Sequence, residues 1–321
     1  MRRLERLISQ VRRLTDNEEF DNDPDNPLGI TTQEIAEYLN DAQANIQSQI
    51  SATHPKVFIE TTTIDLVAKQ ELYDLPSDLY LDGRIVSIET KFSEKASDYT
   101  NLRQKHIKSR LPDVESDIPY AYIRIAKQIA IQPIPSRSWT DGLRITYQHK
   151  LPSLGFRIGQ VSATQTSGSE LTRIDLNASP TKAQDSTLPT LAEHYIEQFD
   201  ELTVVDKNGV AKAVGIPVST YDPTTGYITP ESGHELGALE TISAGDYIVG
   251  GENSTTHSEL PDTCERYLIA YAAWKVLKAD SMVDSKDQER ELGLMLQEII
   301  NAFREIDEDQ IELELSEEWM I

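Results

Sequence analysis

Leu4, Leu7, Ile8, Val11 and Leu14 recur at three- and four-residue steps, which is one face of an amphipathic helix. Arg2, Arg3, Arg6, Arg12 and Arg13 cover much of the remainder. The stretch DNEEFDNDPDNPLG then reads as an acidic, proline-containing linker. A second helix is predicted from ITTQEI onward. Thr31 and Glu34 have capping-box spacing, and Ile30 and Ile35 stand where a hydrophobic staple would place them. Its apolar face runs through Ile35, Tyr38/Leu39, Ala42, Ile46 and Ile50, and His54-Pro55 ends it.

From Val57 the period changes from three-to-four to two. FIETTTIDLVAKQELYDLP is rich in β-branched residues and predicts one or two strands; RIVSIETKF, YAYIRIAKQIAIQPIP and LRITYQHK follow with alternation. Lys127-Gln128 is the expected turn of a hairpin between YIRI and IAIQ. Residues 155–257 carry further short strand patterns (GFRIGQVSAT, LTRIDLN, ELTVVDKNGVAKAV, STYDPTTGYIT, GDYIVGG), with turn signals at Asn208-Gly209 and Thr225-Gly226. Small antiparallel elements of this kind predict a barrel or a sandwich.

At Pro261 the pattern turns helical again. Leu268, Ile269, Ala272, Ala273, Val276 and Leu277 fill more than one stripe, so this helix should be central. A fourth helix shows its face at Leu292, Met295/Leu296, Ile299, Phe303 and Ile306. In DEDQIELELSEEWMI the period changes once more: Ile311, Leu313 and Leu315 alternate with acids, ahead of the apolar Trp319-Met320-Ile321. The amphipathic N-terminal pair needs a core, and the apolar helix near Trp274 needs covering. A bundle built from both ends of the chain satisfies both needs. The expected fold is therefore α+β: a helical bundle of N- and C-terminal helices, a large inserted antiparallel β region and an extended C-terminal tail. The expected divisions are 1–56 (first bundle helices), 57–150 (first β region), 151–260 (second β region), 261–306 (last bundle helices) and 307–321 (tail). Leu39, Ile46, Leu268, Ala272, Val276, Ile299 and Phe303 are the expected bundle core.

Composition narrows the function. The 321 residues include 30 basic and 54 acidic side chains, a net charge of −24, which disfavours gripping a polyanion. The single cysteine, Cys264, excludes an internal disulfide and reads as a small core residue. The basic N-terminus lacks the continuous apolar core of a signal peptide, and no apolar run approaches the ~18 residues of a membrane span. The expectation is a soluble intracellular product with no membrane partner.

Chemical motifs are sparse. The six histidines form no HExxH pattern, and His257, Glu259 and Asp262 are the one local group of ligand-type side chains, best read as polar capping where a loop meets a helix. Asp21, Asp23 and Asp25 resemble the start of a calcium loop, but Asn26 and Thr32 stand where glycine and glutamate are required. GxSxG, P-loop and GxGxxG patterns are absent, and GGENS lacks the lysine of a phosphate loop. No catalytic residue, cofactor or metal is expected. A hydrolase using clustered carboxylates would need a tightly held metal.

Charge placement is more informative. Residues 284–321 hold 13 acids and 3 bases, whereas residues 91–110 hold Lys91, Lys95, Arg103, Lys105, Lys108 and Arg110 against Glu94 and Asp98. Such opposite surfaces suit head-to-tail association of copies, which closes into a ring when the rotation permits. An alternating tail with a Trp-Met end suits docking on a neighbour.

The segments ITTQEIAEYLNDAQANI, ELYDLPSDLY, IAIQPIP and TTHSELPDTCERYLIAYAAWKVLKAD together resemble the head-to-tail adaptor (connector, portal-adaptor) proteins of short-tailed bacteriophages, over about two thirds of the chain. The resemblance implies a homo-oligomeric ring, usually of twelve copies, under the portal protein in the virion neck and assembled in the host cytoplasm. Tail tube or nozzle proteins and tail fibres are the implied further partners. Double-stranded DNA would pass through the ring without sequence-specific binding. It implies a structural protein with portal docking through Ile311, Leu313, Leu315, Trp319, Met320 and Ile321. Glu265, Glu291, Glu298 and Glu305 are the candidate channel-lining acids, while Arg2, Arg3 and Arg6 meet partners. The alternative is a virion receptor- or carbohydrate-binding protein acting through residues 151–260, whose aromatic residues are Phe156, Tyr195, Phe199, Tyr221, Tyr227 and Tyr247.

Overall fold

A computed structural model describes residues 3–15, 30–80, 85–93, 98–110, 114–177, 199–222, 224–237, 240–279 and 285–318, with side chains in the last stretch from 286 to 303. The acidic linker, Arg2, Tyr195 and Trp319, Met320 and Ile321 lie outside these residues. The fold is α+β, with helices at both ends of the chain and mostly antiparallel sheets between them in sequence. The helices are α1 (Leu4–Thr15), α2 (Thr32–Thr53), α3 (Glu265–Ala279) and α4 (Ser285–Glu318). The chain divides into two compact units, one of residues 1–48 and 152–302, the other of residues 49–151 and 303–321.

In the first unit the two ends of the chain meet. Leu4, Leu7, Ile8 and Val11 of α1 are all buried, and α1 packs on α3. The start of α1 is tied to the residues before α3: Arg3 bridges His257, and the Leu4 amide donates to the Thr256 carbonyl at 2.9 Å. The capping box at α2 forms as its spacing requires. The Thr31 amide donates to Glu34 Oε2 at 2.7 Å, and the Glu34 amide donates to Thr31 Oγ1 at 3.2 Å. Ile30 and Ile35, the staple pair, are both buried. Asn45 Nδ2 donates to the Tyr267 hydroxyl at 2.7 Å, tying α2 to α3.

The second unit holds the first ten strands: β1 (Ile59–Leu66), β2 (Leu72–Asp74), β3 (Ile85–Lys91), β4 (Tyr99–Asn101), β5 (Arg103–Gln104), β6 (Glu115–Ser116), β7 (Ala121–Ile125), β8 (Gln128–Gln132), β9 (Ile134–Pro135) and β10 (Trp139–Gln148). One sheet runs β1-β10-β3-β4 and another β2-β8-β7-β5. Leu66, Ile88, Leu143 and Ile145 from the first and Tyr73, Tyr122, Ile129 and Ile131 from the second share a single core. The β7–β8 hairpin forms, with its turn at Ala126-Lys127, one residue earlier than expected; Ala126 takes φ 52. Register slips between Ile64 and Leu66 on β1, opposite the close approach of Gly142 to Leu66 Cβ. A side chain at position 142 would overlap that carbon, so only glycine fits.

The remaining strands belong to the first unit: β11 (Ser153–Leu154), β12 (Arg157–Ser167), β13 (Glu170–Leu176), β14 (Glu201–Val205), β15 (Ala211–Asp222), β16 (Tyr227–Pro230), β17 (Tyr247–Gly250) and β18 (Ser254–Thr255). Six of them close a barrel in the order β12-β13-β16-β15-β14-β17, which settles the barrel-or-sandwich alternative. Closure leaves no edge among these strands and points alternate apolar residues inward. Val161, Ile174, Leu202, Val204, Ile216 and Ile248 fill its centre. The β14–β15 hairpin turns at Asn208-Gly209, where Gly209 has φ +83.

The tail differs from expectation. Residues 307–318 are not extended; α4 continues through them to Glu318. The alternation of Ile311, Leu313 and Leu315 covers only five residues, and the surrounding Glu, Gln and Leu are strong helix formers. Continuing an existing helix also needs no new nucleation.

His257 illustrates how the junction at α1 responds to acid. Its pKa is lowered from the usual value, first by burial and then by the charges of Arg157 and Arg3. Its contribution to stability is therefore complete above the unfolded value near 6.5 and is lost as pH falls below it towards the depressed folded value. Lowering the pH from about 7.5 to about 5 is expected to lower Tm, with His257→Gln flattening that slope. An unaltered slope in differential scanning calorimetry would assign the acid sensitivity to other groups.

Candidate interaction site

An open groove of about 820 Å³ lies in the first unit, between α1, α3 and α4. A 3₁₀ turn at Asp262–Cys264 sets the start of α3, with the Cys264 amide donating to the Pro261 carbonyl at 2.9 Å. Cys264 itself is fully buried, and burial pushes its thiol up to about 11, which keeps it protonated and inert. From there one side of α3 carries Leu268, Ala272 and Val276 into the core, all at most 1% exposed. Another carries Ile269, Ala273, Trp274 and Leu277 into the groove. A helix apolar on nearly every side is thus shared between a core and an open surface.

The groove has an apolar floor and a charged rim. Leu14 of α1, 63% exposed, and Leu292 and Met295 of α4 complete the floor. Arg13, Asp262, Glu265, Arg266 and Glu291 form the rim. Arg266 lies 4.0 Å from Glu291 and Lys278 3.7 Å from Glu289, exposed pairs that join α3 to α4. The Trp274 indole is flanked by the Tyr271 ring at 5.6 Å and by Lys278 Nζ at 4.7 Å. Its Nε1 is buried and meets no acceptor among the described residues. An apolar centre ringed by charge is the anatomy of a protein contact surface.

Of the expected channel acids, Glu265 and Glu291 therefore stand on this rim, Glu298 is exposed on α4, and the Glu305 side chain lies outside the described residues. Of the expected core, Leu39, Ile46, Leu268, Ala272, Val276 and Ile299 are buried in the first unit. Phe303 is also buried but falls in the second unit, 6.1 Å from the Phe58 ring. Ile311, Leu313 and Leu315 are on the α4 backbone, with side chains outside the described residues.

His257 Nδ1 is 2.8 Å from Thr256 Oγ1, and no group of three His, Cys, Asp or Glu among the described residues is placed to hold a metal. Four aromatic residues of the barrel region are engaged internally. Phe199 and Tyr221 pack against the barrel core, and Arg173 and Arg157 lie over the rings of Tyr227 and Tyr247 at 4.2 and 3.7 Å. Sequence reasoning missed the fully buried Arg157 and the groove wall at Trp274, since periodicity alone does not separate a covered stripe from an open one.

No curated protein matches the sequence. A family model described as SU10 adaptor protein matches residues 3–175. The matched stretch includes α1, α2, all ten strands of the second unit, and β11, β12 and nearly all of β13. More than half of the chain being covered, the protein belongs to the SU10 adaptor protein family, a family of phage structural adaptors.

Proposed function

We propose that this phage adaptor works as a head-to-tail connector of the short-tailed type: a ring, taken as twelve copies, that joins the portal to the tail in the virion neck and lets DNA pass through its centre. The observation that carries the reading is the family match over residues 3–175. The net charge of −24 supports it, because a ring of such copies presents a strongly negative lumen that repels phosphates and lets the genome slide. In this reading Glu265, Glu291, Glu298 and Glu305 line the channel. Because α4 runs on through Ile311, Leu313 and Leu315, the part of the expected docking segment that meets the portal is its apolar end, Trp319, Met320 and Ile321, and the outer β surfaces meet tail tube, nozzle or fibre proteins.

Electron microscopy of the purified protein with and without its portal tests the reading. Rings seated on the portal are expected. A protein that stays monomeric and leaves the portal undecorated at micromolar concentration would overturn it. A second outcome concerns the lumen: replacing Glu265, Glu291 and Glu298 together by lysine is expected to slow genome ejection in assembled particles. Ejection at the wild-type rate would remove these acids from the channel.

A further inference from the structure

The chain's charge is unevenly divided. Residues 49–151 hold 14 basic and 13 acidic side chains, which leaves 16 basic and 41 acidic for the rest. All of the excess acid therefore lies outside the first β region. Within that region the bases gather on one stretch. β5 pairs with β7, the Arg103 amide donates to the Tyr120 carbonyl at 3.0 Å, and the Lys105 amide donates to the Tyr122 carbonyl at 2.8 Å. Lys105 Nζ then sits 4.6 Å over the Tyr120 ring. A 3₁₀ turn at Ile107–Ser109 follows, capped by His106, whose ring nitrogen accepts from the Lys108 amide.

This stretch also exposes apolar side chains that a solvated face does not need. Ile107 is 54% exposed, Tyr120 47% and Ile118 46%. Two nearby acids are taken: Glu71 pairs with Arg110, and Asp117 with Arg137 at 2.8 Å. Among the described residues no carboxylate pairs with Arg103, Lys105 or Lys108. The result is a basic surface with apolar anchors, which fits an acidic segment that carries apolar residues of its own.

We propose that this surface, centred on Arg103, Lys105, Ile107, Lys108 and Tyr120, receives the acidic C-terminal stretch of α4 from a second copy of the chain. Residues 307–318 contain seven acids and no base, interspersed with Ile311, Leu313 and Leu315, so the segment matches the patch in both charge and apolar content. The contact is heterologous, since patch and segment are different parts of the chain, and repeats of it build a ring or an open filament. The proposal rests on the adaptor reading and supplies the contact between its copies.

The test is a charge exchange in the full-length protein, followed by sedimentation velocity and native mass spectrometry. One variant carries Arg103→Glu, Lys105→Glu and Lys108→Glu; the other carries Glu312→Lys, Glu314→Lys, Glu317→Lys and Glu318→Lys. Wild-type protein is expected to self-associate, and more weakly as salt rises. Each variant alone is expected to lose association by about a hundredfold, because like charges meet. An equimolar mixture is expected to recover it in complexes with equal numbers of both variants, since each tail then finds a patch of opposite charge. Unchanged circular dichroism establishes that each variant folds. For a variant that does not fold, a fluorescent peptide of residues 304–321 titrated onto wild-type protein replaces it, with saturable, salt-sensitive binding expected. A mixture that fails to recover, a peptide that does not bind, a wild type that never associates, or a patch that prefers duplex DNA to the peptide would each overturn the proposal. If portal decoration persists alongside such a failure, the connector reading stands and only this contact falls.

Discussion

Replacing Leu7 by alanine is expected to cost about 3 kcal/mol of stability, and replacing Leu268 by alanine a similar amount. Both side chains are at most 1% exposed, and α1 packs on α3. They face a gap of only about 10 Å³, shared with Ser258, Leu260 and Pro261, so the site is tightly filled and truncation leaves a void. Because the two residues share that gap, the double variant should cost less than the two single changes added together, by about 0.5 kcal/mol or more. Urea denaturation of the four proteins measures this coupling. Strict additivity would mean that the first twelve-residue helix and the apolar helix near the C-terminus do not share a core, and the meeting of the two chain ends would be lost with it. Leu14→Ala provides the contrast. On the open groove at 63% exposure, it should change stability by no more than about 0.5 kcal/mol.

Leu4, Leu7, Ile8 and Val11 were legible because helical period and burial coincide there, and Thr31 with Glu34 because a capping box needs only local geometry. The apolar surplus of α3 was legible as a demand for partners on several sides. What periodicity could not reveal is that Ile269, Trp274 and Leu277 meet an open groove while Leu268 and Val276 meet a core. Both sets are equally apolar, and the difference lies in where α4 sits. The division into two units was hidden for a similar reason. It falls after Ser48 and after Ala302, inside α2 and α4, where the helical pattern runs on without a break. The barrel's existence could be argued from short alternating strands, but not its strand order, which brings β12 beside β17 across about eighty residues of chain. The tail failed because a five-residue alternation of Ile and Leu with Glu satisfies a strand and a helix alike, and propensity then decides.

Arg157→Ala is expected to cost about 3 kcal/mol and Arg157→Met markedly less. The arginine is 2% exposed at the start of the barrel's first strand, an unusual place for a charge in an acidic chain. Its guanidinium carbon lies 3.7 Å from the centre of the Tyr247 ring, and one terminal nitrogen donates to the Lys207 carbonyl at 3.2 Å. A cation held on a ring away from water contributes about 2 kcal/mol, but burying the charge opposes that gain. Alanine removes the stacking, the hydrogen bond and the volume at once. Methionine keeps most of the volume and also removes the buried charge, so the two terms partly cancel. Lysine keeps the charge without the flat face and should fall between them. Thermal unfolding of the three variants ranks these outcomes, and an alanine variant as stable as methionine would show that the aliphatic volume of Arg157 contributes nothing. A separate readout isolates the charge. Arg157 is the largest charged influence lowering the pKa of His257, so Arg157→Met should raise the histidine's pKa in an NMR titration even if stability barely changes. The acid sensitivity at the junction of α1 with the barrel would then shrink in the same variant, because the folded pKa moves back towards the unfolded one.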